Sequence, residues 1–191
     1  MLQAPRRDPV QWVTVGESLL HATDLTTRSR NAPSRYADPV AWLATEAAEQ
    51  AIRGASEDVL SRPDEVGVLA VSDECTAATM RDIAARMRRG RISPLTFAGA
   101  NPGSLAGLPC MTWRLRGPTM TLTMPPERAR VAASAIVRLW LASGQARLVL
   151  VLDHWREPVR CADDPRTDAG SSGQDRRHVV SCRLLRPASV A

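Results

Sequence analysis

The chain has 191 residues, of which 44% are hydrophobic and 4% aromatic, a composition that suits one globular domain with an aliphatic core. All 25 basic residues are arginine, so the chain cannot use a lysine for Schiff-base chemistry or as a general base. The net charge is +5 and the pI is near 9.8, but the arginines are scattered and accompany no nucleic-acid recognition motif. No nucleic-acid partner is therefore expected.

The cysteines show no metal-binding pattern. They are Cys75, Cys110, Cys161 and Cys182. No pair has the spacing of a zinc site and no nearby histidines complete a set, so no metal and no cofactor are expected. The first ten residues lack an apolar run, and the longest apolar stretch, Leu148 to Leu152, is too short to cross a membrane. We therefore expect free, mostly buried thiols in a reduced, cytoplasmic setting, with no membrane partner.

In the first third of the chain, the hydrophobic pattern predicts two strands and a helix. Residues Gln11 to Leu20 alternate loosely and predict a strand, and His21 to Asp38 is a polar connection. From Pro39 apolar residues recur at helical spacing until Gly54, which ends the run. The continuous apolar run from Val66 to Val71 predicts a strand covered on both faces.

The middle of the chain predicts two more helices around a loop. One helix is expected from Thr76 to Arg89, where a cluster of arginines (Arg86, Arg88, Arg89 and Arg91) would face the negative end of the helix dipole. Pro94 to Gly103 is expected to be a loop. Ser104 to Leu115 has a helical pattern that Pro109 should break or kink. A half-covered strand is predicted from Thr119 to Thr123.

The strongest helical pattern of the chain runs from Glu127 to Ser143, after Pro125 and Pro126. An apolar strand from Leu148 to Leu152 follows, and the last strand is predicted from Val179 to Leu185. Between them Arg156 to Arg177 is expected to be a mobile loop, and residues 1–9 to be disordered. This alternation of strands and helices predicts an α/β domain with a mostly parallel sheet of five strands.

Several of these segments together resemble one family. The segments are Asn101-Pro102, Arg116-Gly117-Pro118-Thr119, the strand to Thr123, the alanine-rich helix, and Gly144-Gln145-Ala146 before Leu148 to Leu152. They resemble the N-terminal half of a β-ketoacyl synthase, a thiolase-fold condensing enzyme. Pro63 to Val68 resembles the second strand of that family and its lead-in. The resemblance implies a thiolase-like half-fold over residues 1–191, with a mixed, mostly parallel five-stranded sheet and flanking helices.

The resemblance also implies that the chain lacks the catalytic nucleophile of the family. Active members carry a cysteine at the N-terminus of the helix after the third strand, and its thiolate attacks an acyl thioester. Counting from Gly117-Pro118, that position falls on Pro126, which has no nucleophilic atom and no backbone N–H. The histidines or asparagine that support decarboxylation belong to the other half of the family's fold. No catalytic residue is therefore assigned, and the chain resembles a chain-length factor.

Five residues are candidates for lining an acyl pocket, and five form a candidate dimer edge. The pocket candidates are Met124, Pro125, Pro126, Cys75 and His154. His154 ends a strand beside Asp153 and Trp155, although a lone histidine there is more often structural. The edge candidates are Thr119, Met120, Thr121, Leu122 and Thr123, because the resemblance places this strand at the sheet edge and no charge or proline blocks its pairing.

The leading hypothesis is a non-catalytic ketosynthase-like protein of polyketide- or fatty-acid-type synthesis. It would associate with an active ketosynthase, with an acyl carrier protein or with a second copy of itself, since a half-fold leaves a helix face uncovered. One alternative is an acyltransferase or β-ketoacyl-synthase-type enzyme that uses another residue, such as Cys75 or Cys110, or is completed by a partner chain. The other is a basic nucleic-acid-binding module, which the scattered arginines favour least.

Overall fold

A computed structural model describes residues 11–25, 36–90, 93–159 and 176–188 of the chain. Its helices are α1 (Pro39–Arg53), α2 (Ala77–Met87), α3 (Pro94–Gly99), α4 (Ser104–Trp113) and α5 (Pro126–Ala142). Its strands are β1 (Trp12–Ala22), β2 (Val66–Ser72), β3 (Thr119–Leu122), β4 (Leu148–Pro158) and β5 (Arg176–Pro187). Among these residues, no helix combines the length and the apolar character that a membrane span requires.

The five strands form one mixed sheet in the order β1-β5-β4-β2-β3. β2 lies parallel to both β3 and β4, whereas β5 lies antiparallel to both β4 and β1. The predicted mixed five-stranded α/β sheet is therefore confirmed, although it is less parallel than expected. The reason is that β4 and β5 pair directly as neighbours, which reverses the chain direction, whereas a parallel pair would need a crossover.

Each face of the sheet packs on a different set of helices. On one face, α1 and α4 bury alternate residues of β2, β4 and β5, such as Val68, Leu150 and Leu184, which are each 0% exposed. Of the described helices, α5 packs on the other face, through Val137, Trp140 and Leu141. On this face α5 contacts β2 and β4 most extensively, while Leu185 of β5 and Trp12 of β1 also pack in the same cluster.

Local signals in the sequence explain where α1 begins and how it is joined to α2. The Asp38 carboxylate accepts a hydrogen bond from the Val40 amide at 2.8 Å, which caps α1, and Pro39 is the first helical residue. The other carboxylate oxygen accepts from the Thr79 amide in α2 at 3.0 Å. Asp38 is fully buried, so one carboxylate ties the starts of two helices together.

Three sequence expectations need correction. Pro94 opens the short helix α3, so the predicted loop up to Gly103 is partly helical. Pro109 does not break α4, because Leu105, Leu108 and Pro109 are all buried and tertiary packing outweighs the lost hydrogen bond. The predicted loop from Arg156 to Arg177 is shorter at both ends, since β4 and β5 pair out to Pro158 and Arg176. Residues 1–9 and 160–175, including Cys161, lie outside the described residues.

Candidate functional site

The N-terminus of α5 offers few groups that could hold or attack an acyl group. Pro125 precedes the helix with extended backbone, at φ −56° and ψ 137°, and Pro126 is its first residue. The amides of Arg128 and Ala129 both donate to the Pro125 carbonyl oxygen at 3.0 Å. Since proline has no N–H, the Glu127 amide is the one first-turn donor to which the structure gives no backbone acceptor. This helix end therefore carries neither a nucleophile nor a pair of oxyanion donors.

A trough of about 840 Å³ opens beside this helix end, between the first half of α5 and the face of β4 and β5 that is turned toward α5. Pro125 and Pro126 line it, together with the hydroxyl groups of Ser134 and Ser181. Its charged lining residues are Arg130, Arg156, Arg176, Arg183, Asp73, Glu74, Glu127 and Asp153. Among the described residues that line it there is no thiol and no imidazole, so it lacks the side chains that usually perform acyl transfer.

Ion pairs neutralise part of the trough wall. Arg183 of β5 lies 3.0 Å from the Asp153 carboxylate of β4, and Arg156 lies 3.4 Å from Glu74. Burial raises the pKa of Asp153, while the adjacent Arg183 guanidinium opposes that rise. The trough wall is thus a mixture of charged and apolar side chains, with two ion pairs among them, and differs from the mostly apolar wall that an acyl chain would need.

On the other face of the sheet, a chain of hydrogen bonds links the ends of β2, β4 and β5. The Cys75 amide donates to Ser72 Oγ at 2.8 Å, and Ser72 Oγ lies 2.7 Å from His154 Nδ1. His154 Nε2 in turn lies 3.0 Å from Nδ1 of His178, and the two rings stack with centroids 5.3 Å apart. Ser72 and His154 are buried, at 0% and 1% exposure.

These contacts determine which atom is the donor in each hydrogen bond of the Ser72–His154–His178 series. Burial, with the nearby His178 and Arg156, lowers the pKa of His154 to about 3, so its ring is neutral at neutral pH. Ser72 Oγ already accepts from Cys75, and within the described residues its own hydrogen has one acceptor, His154 Nδ1. The His154 proton therefore sits on Nε2 and is donated to His178 Nδ1. Ser72 Oγ and both ring nitrogens of His154 therefore have hydrogen-bond partners.

Cys75 occupies the turn between β2 and α2 in an unusual backbone conformation. Its φ is +43°, one of two positive values among the described non-glycine residues. Strained turns of this kind between a strand and a helix are found at some nucleophiles. The thiol, however, donates to the Ser72 carbonyl oxygen at 3.1 Å and is only 6% exposed. Burial raises the pKa of Cys75, so the thiol is poorly suited to form a thiolate.

Among the described strands, β3 lies at one edge of the sheet, and β2 is the one that pairs with it. The Val68 amide donates to the Pro118 carbonyl oxygen at 2.9 Å, and Val68 is in register with Thr119. In a parallel ladder with this register, the amides of Met120 and Leu122 point toward β2, and those of Thr119 and Thr121 point outward. Met120 is 41% exposed. The edge thus presents unpaired backbone donors that another strand could use.

The structure separates the candidate pocket residues into two groups. Pro125 and Pro126 line the trough, and Met124 packs beside it against the core under α5. Cys75 and His154 are buried on the opposite face and do not line the trough. The other two described thiols are also remote from it: Cys182 is fully buried in β5, and Cys110 lies 3.5 Å from the Thr119 hydroxyl.

Sequence reasoning missed the partners of His154. Ser72 and His154 are in register on the parallel strands β2 and β4, so aligning the two apolar runs at their amino ends, Val66 with Leu148, would have brought them together. His178 was harder to find, because it lies before the predicted last strand and joins the site only when β5 starts earlier and runs antiparallel to β4.

Comparisons with known proteins find similarity in structure but none in sequence. No protein-family model and no curated protein sequence matches the chain. The ishigamide ketosynthase/chain length factor is similar in structure, with a TM-score of 0.61 and 16% identity over 88% of this chain and 49% of that one. The fold is ketosynthase-like. The chain thus spans about half the length of this neighbour.

Two further ketosynthase-like neighbours are solved as complexes. One is a type II PKS acyl-carrier protein with its ketosynthase bound to the hexaketide, with a TM-score of 0.62 and 13% identity over 93% of this chain and 62% of that one. The other is the ketosynthase ApeO with its chain length factor ApeC from Xenorhabdus doucetiae, with a TM-score of 0.56 and 14% identity over 95% of this chain and 79% of that one. At these identities the similarity concerns the fold.

Proposed function

We propose that the chain is a non-catalytic, ketosynthase-like subunit that pairs with an active condensing enzyme in polyketide- or fatty-acid-type synthesis. The observation that carries this proposal is Pro126 at the first position of α5, where the resemblance expects the nucleophilic cysteine. A proline there removes both the attacking sulfur and one amide of the first turn. The chain would then contribute shape and contacts to the partner, while the partner performs the chemistry.

The remaining side chains support a non-catalytic role. The described trough lining has no thiol or imidazole, and its two serines have no histidine beside them in that lining. The Ser72 and His154 pair is buried where a substrate would not reach it. Burial raises the pKa of Cys75, Cys110 and Cys182 alike, which keeps these thiols protonated and weakly nucleophilic.

The β3 edge is the surface that we assign to the partner. Its outward amides could extend the sheet into a strand of a second protein, and this mode of pairing needs no particular side chains. Two of the solved neighbours are named as complexes of a ketosynthase with a chain length factor or an acyl-carrier protein. A ketosynthase is therefore the partner we expect at this edge.

An acyl carrier protein is a second possible contact, at the end of α2. Arg88 and Arg89 follow the helix and are exposed, whereas Arg86 pairs with Asp82 at 2.9 Å. An acidic carrier protein would be attracted to these two unshielded guanidinium groups, and the attraction would weaken as salt is added.

Co-purification with the ketosynthases of the source organism tests the proposed pairing. Thr121→Pro removes one outward amide without removing a hydrogen bond to β2, and we expect it to abolish recovery of the partner. The control is Thr121→Val, which keeps the amide and removes a hydroxyl that has no partner in the described structure, so the complex should persist. Recovery of no ketosynthase with the wild-type chain, or equal recovery with Thr121→Pro, would contradict the proposal.

A further inference from the structure

The turn between β2 and α2 depends on Ser72 for its shape. Two hydrogen bonds join Cys75 to this residue: Ser72 Oγ accepts from the Cys75 amide at 2.8 Å, and the Ser72 carbonyl oxygen accepts from the thiol at 3.1 Å. They hold Cys75 at a φ of +43°, a conformation that a non-glycine residue keeps only when its surroundings impose it. α2, which follows the turn, buries two of its eleven residues, Thr79 and Ile83. The turn and α2 thus have few apolar anchors, and such segments open locally before the core does.

The Ser72–His154–His178 series has no place for an additional proton. The Ser72 hydroxyl donates to His154 Nδ1, and His154 Nε2 donates to His178 Nδ1. A proton added to His178 Nδ1 would face the hydrogen on His154 Nε2 across 3.0 Å. If His154 instead carried a hydrogen on Nδ1, that hydrogen would point at Ser72 Oγ, and the Ser72 hydrogen would lose its acceptor. A proton added to either ring therefore breaks one hydrogen bond of the series.

The charged groups around the two rings also disfavour an additional proton. Arg156 is in register with His178 on the neighbouring strand, and Arg81 of α2 adds a second repulsion. Two carboxylates, Glu74 and Asp38, lie close enough to attract a positive ring. Glu74, however, pairs with Arg156 at 3.4 Å, and Asp38 already accepts two backbone amides. Among the described residues, a charged ring would therefore share each counter-ion with an existing partner.

We infer that the Ser72–His154–His178 series is an acid-sensitive latch, which holds the β2–α2 turn closed while both rings are neutral and releases it when either ring takes up a proton. Release exposes the Cys75 thiol, which is 6% exposed in the closed turn. It also frees Asp73 and Glu74, which belong to the same turn and line the trough. Acidification would thus alter the trough wall from the opposite face of the sheet. This inference does not depend on the proposed function.

Native-state hydrogen exchange at the Cys75 amide measures the release of the turn. In the closed turn the pKa of His154 is about 3, and in the released turn it returns toward the ordinary value of 6.5. The released turn therefore binds more protons, and acid favours it. After correction for the intrinsic exchange rate at each pH, the equilibrium constant for opening should be about 20-fold larger at pH 5.0 than at pH 7.0.

His154→Asn and low urea concentrations separate the latch from global unfolding. Asparagine keeps an acceptor for the Ser72 hydroxyl but does not titrate, so exchange at Cys75 should lose most of its pH dependence. His21→Asn, at an exposed histidine, is the control and should behave as the wild type. Because local opening exposes little surface, exchange at Cys75 should be nearly independent of urea, whereas exchange at the buried Leu150 should depend on it steeply. The same urea dependence at both amides, or an unchanged pH dependence in His154→Asn, would overturn the inference.

Thiol labelling of the wild-type chain is a second measurement and needs no substitution. The reagent is a pyridyl disulfide, which reacts with thiols at acid as well as neutral pH, and glutathione labelled in parallel corrects for the reagent. Relative to glutathione, Cys75 should react about 20-fold faster at pH 5.0 than at pH 7.0. At both pH values Cys75 should react faster than Cys182, which is fully buried in β5 and is reached through global unfolding. Equal rates for Cys75 and Cys182 at pH 5.0 would contradict a local release.

Discussion

Removing the titration of His154 tests the buried chain of hydrogen bonds between β2, β4 and β5. Burial lowers the pKa of His154 from 6.5 to about 3, whereas the unfolded chain takes up the proton near the ordinary value. The folded state therefore binds fewer protons than the unfolded state between these pH values. The stability that the neutral ring contributes is complete above pH 6.5 and is lost as the pH falls toward 3.

The size of the effect follows from that difference. A pH of 5.0 is about 1.5 units below the ordinary pKa of histidine, and each unit corresponds to about 1.4 kcal/mol. The titration of His154 should therefore make the free energy of unfolding about 2 kcal/mol lower at pH 5.0 than at pH 7. Burial and the nearby Arg156 guanidinium also lower the pKa of His178, which adds a loss of the same sign.

The assay is urea unfolding of the wild-type chain and His154→Asn at pH 7.0 and 5.0. Asparagine retains an acceptor near Nδ1 for the Ser72 hydroxyl and does not titrate. The variant is expected to be less stable at pH 7.0 but to lose about 2 kcal/mol less than the wild type on acidification. His21→Asn, at an exposed histidine, is the control and should behave as the wild type. Equal losses in wild type and His154→Asn would refute the buried neutral ring.

Three further predictions concern the core and the thiols. A Cβ at Gly16 would lie 2.3 Å from the Ala51 carbonyl oxygen, so Gly16→Ala should lower the free energy of unfolding by about 2 kcal/mol or more. Gly107→Ala is the control, since a Cβ there would lie in open space on α4, and it should not lower the free energy of unfolding. Equal effects of the two substitutions would refute the close packing of β1 on α1. Leu150→Ala, at a fully buried residue, should lower the free energy of unfolding by about 2–5 kcal/mol, whereas Leu95→Ala, at an exposed residue, should lower it by less than about 0.5 kcal/mol. An equally small effect of Leu150→Ala would contradict the burial of Leu150 in the core. Alkylation of the folded chain should modify Cys110 before Cys75 and Cys182, and rapid labelling of Cys182 would contradict its burial in β5.

The parts of the fold that the sequence predicts well are those with strong local signals. In the apolar runs of β2 and β4 and in the proline-initiated helices α1 and α5, the hydrophobic pattern agrees with the residues that flank each element, including the Asp38 cap of α1. The extensions of β4 and β5 could not be predicted in this way. His154, Arg156 and His178 are polar, and they lie in strands because the two strands pair with each other over their whole length.

The candidate site was only partly predictable for a related reason. The prolines at α5 and the edge strand follow from the order of residues along the chain, and in the described structure Pro126 begins α5 and β3 is the last strand of the sheet. The trough and the Ser72–His154–His178 chain depend on which face of the sheet each residue occupies. A shift of one residue in strand register moves a side chain to the opposite face, so a pattern alone cannot assign Cys75 and His154 to a pocket.

Intact-mass measurement of the purified chain after incubation with acyl thioesters tests the central claim most directly. Because Pro126 offers no sulfur and burial holds the described thiols protonated, we expect the mass to remain that of the unmodified protein. A stoichiometric acyl adduct on the folded chain, with Cys75 or Cys110 as its site, would contradict the non-catalytic account and favour an enzyme that uses another nucleophile.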